Sequence, residues 1–449
     1  MHSLNDAALT LETGTRTSRD LIESCLARIA DPAGEGARAF TRVYADQARA
    51  SADAMDALRR AGRAPGRYAG IPVSVKDLFN VAGEPTPAAS VILASAPPAK
   101  AHAAIVQRLL AAGLVLVGRT NMTEFAFSGI GINPHYGTPL SPFDRATGRI
   151  PGGSSSGAAV SVADGMALAA IGTDTGGSCR IPAAFCGVVG YKPTARRVPL
   201  DGVLPLAPSL DSVGPLANTV ACCAAVDAIL AGQMSADITP IPLHGLRLAI
   251  PTNVMLDGMD TATERSIDRA VQRLDRAGVS IDRRDFAAID KLQEALKRGS
   301  LPAVEAYAWH RDMLASDSAR YDRRVAERIL LGAQMDAAGY MGLIAARIEL
   351  QRVFAAEMAS YDAMMLPTVP IVPPPVADFA TDEAYWRLNG LILRNPAIVN
   401  FFDGCAISLP CHAPGEPPAG LMLAAPAMQD SWLFAVANAV EKNLDNSIS

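Results

Sequence analysis

The stretch Arg149–Arg180, RIPGGSSSGAAVSVADGMALAAIGTDTGGSCR, constrains this chain more than any other. Two glycine–serine turns, Gly152–Gly157 and Gly172–Ser178, flank a short segment of small and apolar residues. Glycine permits backbone conformations closed to other residues and lets a neighbouring chain or ligand come close. The segment therefore reads as turn, short helix, buried strand, turn, rather than one continuous element. Ser154 and Ser178 lie 24 residues apart, a length that suits a loop–helix–strand unit returning both turns to one end. Taken alone, each turn could be a phosphate nest or a helix start. One of the three serines of the first is expected to cap a helix beginning at Gly157. The lysine-bearing phosphate loop, G-x-x-x-x-G-K-[ST], has no match in the chain.

A nucleophilic serine needs its hydroxyl on a tight turn with backbone N–H groups converging beside it. Ser178 follows Thr175-Gly176-Gly177 at the end of an expected strand, Met166–Ile171, and meets that need. Its base is the harder question. The six histidines, His2, His102, His135, His244, His310 and His412, stand in no hydrolase-like context, and His135 in a long loop reads as loop packing or a substrate contact. Lys76 is the other candidate. In Val73-Ser-Val-Lys-Asp-Leu78 the period of two puts Ser74 and Lys76 on one face and turns Asp77 away. Burial disfavours an ammonium and can lower a lysine pKa by ~3–5 units. A lysine paired with a neighbouring carboxylate is the commoner arrangement, and the residues alone leave both open.

Around this segment the chain alternates helical periodicity with short apolar runs. Helices are expected at Thr17–Ile29, Tyr44–Ala61, Ala103–Ala112, Thr219–Gly232, Thr261–Gly278 and Asp430–Lys442, and from Thr123. Strands are expected at 114–117, 246–250, 362–368, 406–409 and 421–424. That rhythm is α/β. One domain over 1–449 is expected, with a catalytic core at about 66–220, a helical region at about 285–360, and C-terminal strands and a helix at about 362–442. The net charge of -5 is spread through the chain with no basic face, which argues against nucleic acid. Seven cysteines without regular spacing indicate free thiols and a reducing compartment, so cytoplasmic localisation is expected. No signal peptide or membrane-spanning run is read, and a homodimer is compatible with the sequence.

With Lys76 and the two turns in hand, the chain resembles the amidase signature family. Further matching strings are GIPVSVKD (70–77), GRTNMTEFAFS (118–128), YGTP (136–139), IPAAFCGVVGYKPT (181–194), DSVGPLA (211–217) and GLMLAAP (420–426). The resemblance covers most of the chain. It implies a single large twisted mixed β-sheet flanked by helices on both faces. It also implies a Ser–cis-Ser–Lys triad: Ser178 as nucleophile, Ser154 after a cis peptide as the bridge, and Lys76 as base. The oxyanion donors would be the N–H groups of Thr175, Gly176, Gly177 and Ser178, with Ser155, Asp174 and Arg180 in support. No metal or organic cofactor is implied.

The family acts on amides, carbamates and related C–N compounds. The acyl pocket is expected at Met122, Phe125, Phe127 and Tyr136, with walls from residues 300–345 and 390–403, the second made apolar by residues including Ile398 and Phe401. That lining favours a small or medium apolar or aryl amide, carbamate or ester over a charged substrate. Two rivals stand beside this reading. One is the glutaminase subunit of a tRNA-dependent amidotransferase, for which Arg347 and Asp403 could hold glutamine; the other is an inert binding protein. Two departures from the family pattern, a missing glycine before Ser90 and Arg119 in place of the commoner lysine, bear on loop shape near the pocket rather than on the triad.

Overall fold

The computed structural model describes residues 3–233, 236 and 238–444; His2 lies outside them. Eleven strands form one mixed sheet. They are β1 (Phe40–Val43), β2 (Pro72–Lys76), β3 (Val115–Thr120), β4 (Ala169–Thr173), β5 (Val189–Lys192), β6 (Val213–Ala217), β7 (Arg247–Pro251), β8 (Ser280–Arg284), β9 (Ala363–Pro367), β10 (Cys405–Pro410) and β11 (Gly420–Ala425). Their order is β1-β3-β2-β4-β6-β5-β10-β11-β9-β7-β8. Helices cover the sheet on both faces, the α/β architecture the sequence led us to expect. The interior strands show why. All five residues of β2 and of β4 are buried, as in strands covered on both sides. Val73, Val75 and Ile171 join one core cluster, while Ala170, between its β4 neighbours, joins another on the opposite face with the helix Ser156–Ala163.

Most expected helices appear within a residue or two. The helix Ser18–Ala30 has a full capping box, with Thr17 bonding the Asp20 N–H and Asp20 bonding back. Four local expectations change. β3 runs on through Gly118–Thr120, three residues beyond the expected strand 114–117. The helix expected from Thr123 is a single 3-10 turn, Glu124–Ala126, because Phe125 (φ 50°) and Ala126 (φ 61°) are left-handed. β5 and β6, which were not among the expected strands, are central in the sheet. Pro215 is tolerated in β6 at a position beyond the two at which β6 pairs with β5, namely Ala217 and Leu216. No serine side chain caps the helix Ser156–Ala163; Ser155 Oγ bonds the Thr173 carbonyl instead, and the Gly157 N–H reaches the Asn121 carbonyl.

The seven cysteines are free thiols, six of them buried. Among the described residues no single helix is long and apolar enough to cross a membrane.

Candidate active site

β2 and β4 are neighbours and run parallel, with Val75 opposite Ile171. Their C-terminal ends therefore lie together, the end at which open α/β sheets gather their sites. Lys76 closes β2 and Thr173 closes β4. The lysine is fully buried, and its Nζ donates to Ser154 Oγ at 2.7 Å and to Thr173 Oγ1 at 2.8 Å. No carboxylate lies within ion-pair distance of it among the described residues, so the commoner paired-lysine arrangement is absent. Burial, only partly offset by the fields of the Cys179 thiol and of Asp174 and Asp211, lowers its pKa to about 7. Asp77 turns to the other side and meets Arg119 at 2.8 Å.

The first turn is locked on every side. The Gly153–Ser154 peptide is cis. The Gly153 N–H donates to the Gly129 carbonyl at 2.8 Å, and the Ser154 carbonyl accepts from Thr123 N–H at 3.1 Å. A Cβ on Gly153 would stand 2.6 Å from the Gly131 nitrogen, so no larger residue fits there. The two turns meet directly, with Ser155 N–H donating to the Ser178 carbonyl at 3.2 Å.

The second turn is organised by Asp174, which is fully buried. Its Oδ1 accepts from Gly177 N–H (2.8 Å), Arg180 Nη2 (2.9 Å) and Asn400 Nδ2 (2.9 Å). Its Oδ2 accepts from Cys179 N–H (3.1 Å) and Arg180 Nε (3.0 Å). Burial alone would raise this carboxyl's pKa, but the Arg180 charge and hydrogen bonds hold it well below the usual range. The expected oxyanion donors thus divide. The Gly177 N–H is engaged by Asp174, whereas those of Thr175, Gly176 and Ser178 have no acceptor among the described residues. Three donors of the Ser178 turn remain unengaged among the described residues. Thr175 is itself fixed, its Oγ1 bonding Asp211 at 2.5 Å.

A cavity of about 280 Å³ opens onto Thr175 and Gly176. Ile398 and Phe401 line it, as expected from the sequence, but the other four pocket residues do not. Met122 and Phe125 are buried in the main core, where the Phe125 ring meets His310 edge-on and Tyr321 at a tilt. Phe127 is covered by the Arg328 guanidinium, which stands 4.4 Å from its ring centre. Tyr136 borders a separate cleft with Asp77 and Arg119. His135 faces buried Glu124 at 3.1 Å, a loop-packing contact.

Sequence reasoning missed several residues of this site. Thr173, the second partner of Lys76, carried no signal beyond its place at a strand end. Asn400, which bonds both Asp174 and Arg180, is more than 200 residues away in the chain. Arg328 and Arg394 lie in the segments expected to wall the pocket, but neither was singled out. Among the described residues no group of three or more His, Cys, Asp and Glu side chains is placed to hold a metal ion.

Known proteins resemble this chain over most of its length. The family model described as Amidase matches residues 20–434. A 2-amino-5-chloromuconic acid deaminase of Comamonas testosteroni is 37% identical, over 88% of this chain and 86% of the relative. A glutamyl-tRNA(Gln) amidotransferase subunit of Chloroflexus aggregans is 32% identical, over 99% of this chain and 96% of the relative. The solved structure of native peptide amidase from Stenotrophomonas maltophilia superposes with a TM-score of 0.82 at 28% identity, covering 98% of this chain and 96% of that one. The matched span encloses Lys76, both turns and all eleven strands of the sheet that aligns them, and the chain belongs to the Amidase family, hydrolases of C–N bonds.

Proposed function

We propose that this chain cleaves small amides through an acyl-enzyme on Ser178, with Lys76 as base and Ser154 as the proton bridge. The observation that carries the reading is Lys76 Nζ, buried, without a carboxylate partner among the described residues, and 2.7 Å from Ser154 Oγ. A lysine with a pKa of about 7 is neutral in half or more of the molecules at neutral pH and can accept a proton. Ser154 passes its proton to Lys76 and takes one from Ser178, whose oxygen attacks the amide carbon. The oxyanion is met by the N–H groups of Thr175, Gly176 and Ser178, each worth ~2.7–4 kcal/mol in such a role. The proton returns through Ser154 to the departing nitrogen, the C–N bond breaks and the amine leaves. Water, deprotonated along the same path, then cleaves the ester to free acid and Ser178. Ser155, Asp174 and Arg180 position the turns and take no part in bond-making.

The relatives' names have C–N cleavage in common, and the Comamonas protein is named for removing an amino group from an acid. Carbamate and ester cleavage would use the same acyl-enzyme route. We also propose that the chain works as one amidase unit, because strands from residue 40 to residue 425 enter one sheet. The glutaminase reading is supported by the Chloroflexus relative. The residues offered for it on sequence have other partners: Arg347 donates to the Asn400 and Phe401 carbonyls, and Asp403 accepts from Arg196. An inert binding protein would have no need of an activated lysine.

The test is fluorophosphonate labelling with a panel of primary amides, anilides, carbamates and esters. Ser178 should be the labelled residue, and ammonia should appear from simple amides with no partner protein. Labelling elsewhere, or ammonia only from glutamine with a partner, would overturn the proposal.

A further inference from the structure

Among the described residues, the cavity beside the oxyanion turn carries two arginines and no acid. Arg328 and Arg394 line it together with an apolar wall that includes Leu292, Leu393, Ile398 and Phe401. Neither arginine forms an ion pair with a described residue, and this sets them apart from their neighbours. Arg323 and Arg324, in the same helix as Arg328, both bind Asp382, at 2.5 and 3.0 Å. Arg328 has only the Phe127 carbonyl, at 3.3 Å from Nη1, and the face of the Phe127 ring. Arg394 donates to Asn395 Oδ1 at 3.0 Å and to the Met255 carbonyl at 3.1 Å. Asp257 acts on Arg394 only as a more distant charge. Burial lowers the pKa of Arg328 to about 10, which leaves it charged at neutral pH.

A guanidinium partly withdrawn from water without a counter-charge is costly to hold, and it carries five N–H donors in a fork matched to a carboxylate. Most of that capacity is unused at Arg328. We propose that the acyl part of the substrate ends in a carboxylate that Arg328 and Arg394 bind, so that the preferred substrates are anionic monoamides of dicarboxylic acids. The proposal rests on the amidase reading above and names its substrate class. It also revises the expectation of an apolar or aryl substrate, which was drawn from residues that mostly lie outside the cavity. A neutral amide would leave both cations unanswered. A zwitterion such as glutamine would find a partner for its carboxylate but, among the described residues, no acid on the wall for its ammonium.

Binding to the Ser178→Ala protein tests this apart from turnover. Calorimetry would compare the monoamides succinamate, glutaramate and adipamate with neutral amides in which an isopropyl group replaces the carboxylate, and with glutamine. At least one anionic monoamide should bind about tenfold or more tighter than its neutral counterpart and than glutamine. In the same background, Arg328→Gln and Arg394→Gln should bring that ratio toward one, and Arg328→Lys should restore part of it. Equal binding of every charged and neutral pair overturns the proposal, and that comparison needs no change at either arginine. A ratio unchanged in both glutamine-substituted variants overturns the assignment to these two residues. Glutamine binding tighter than glutaramate overturns the anionic class and favours a glutaminase. If glutaramate binds but the unmutated enzyme turns over no amide, the carboxylate site stands and the amidase reading fails.

Discussion

Lys76 is held against its own stability. Lowering a lysine from its ordinary pKa to about 7 corresponds to roughly 4–5 kcal/mol of disfavoured charge. The sign follows from proton counts. Between about pH 7 and ~10.4 the unfolded chain holds a proton that the folded one has lost, so this contribution to stability rises with pH through that window. Below about 7 both states are protonated and the full penalty remains. Lys76→Met, which keeps the volume and removes the charge, should therefore lower kcat/KM by ~10²–10⁴ while raising Tm. The gain in Tm should be largest below pH 7 and shrink toward alkaline pH, as thermal melts at pH 6 and pH 9 would show. In the unmutated enzyme the rate should rise with pH to a plateau, with a midpoint near 7. A flat pH–rate profile from pH 5 to 9 would remove Lys76 as the base. Asp174 has the opposite sign. Its depressed pKa stabilises the fold above the ordinary carboxyl value of ~4, and that contribution is lost as pH falls below it.

At the scale of elements, the second turn is the most exacting piece of backbone. Gly177 has φ +126°, and a Cβ there would stand 2.7 Å from both Ile181 and Pro396. Gly177→Ala should cost ~1–3 kcal/mol in urea unfolding and slow labelling of Ser178, because the turn cannot relax without moving its donors. An unchanged labelling rate would mean that the turn tolerates the shift. Asp174→Ala leaves Arg180 buried without its carboxylate and should be worse, by ~3–5 kcal/mol. Legibility differs between elements for plain reasons. Capped amphipathic helices such as Ser18–Ala30 can be read because cap and periodicity are local properties of the chain. β5 and β6 could not, because their stability comes from neighbouring strands rather than from β-branched content. The turn at Phe125 escaped for the same kind of reason: its ring packs against His310 and Tyr321, almost 200 residues away in the chain.

At the scale of the molecule, the site is closed by a segment far along the chain. Asn400, from the helix Asp382–Phe401, bonds both Asp174 and Arg180 and so ties the C-terminal part to the turn that carries Ser178. Asn400→Ala should destabilise the protein by about 1–3 kcal/mol and lower kcat more than it raises KM, since the nucleophile's turn loosens while the cavity wall remains. A KM effect alone would assign Asn400 to substrate binding. The same helix supplies Arg394, Ile398 and Phe401 to the cavity, so one element both braces the chemistry and shapes the substrate site.

The α/β class, the family and the lysine and turns proposed here as the triad were open to reading from sequence because they rest on local requirements. A cradle for an oxyanion needs glycines in series, a strand needs its period of two, and both survive as strings. Which donors are free, which arginines lack a partner and which aromatics reach the cavity depended on contacts between segments up to 226 residues apart. Burial and counter-charge are properties of three-dimensional neighbours. Only the folded sheet could therefore decide that Lys76 is unpaired, that Gly177 serves Asp174, and that the cavity wall is cationic.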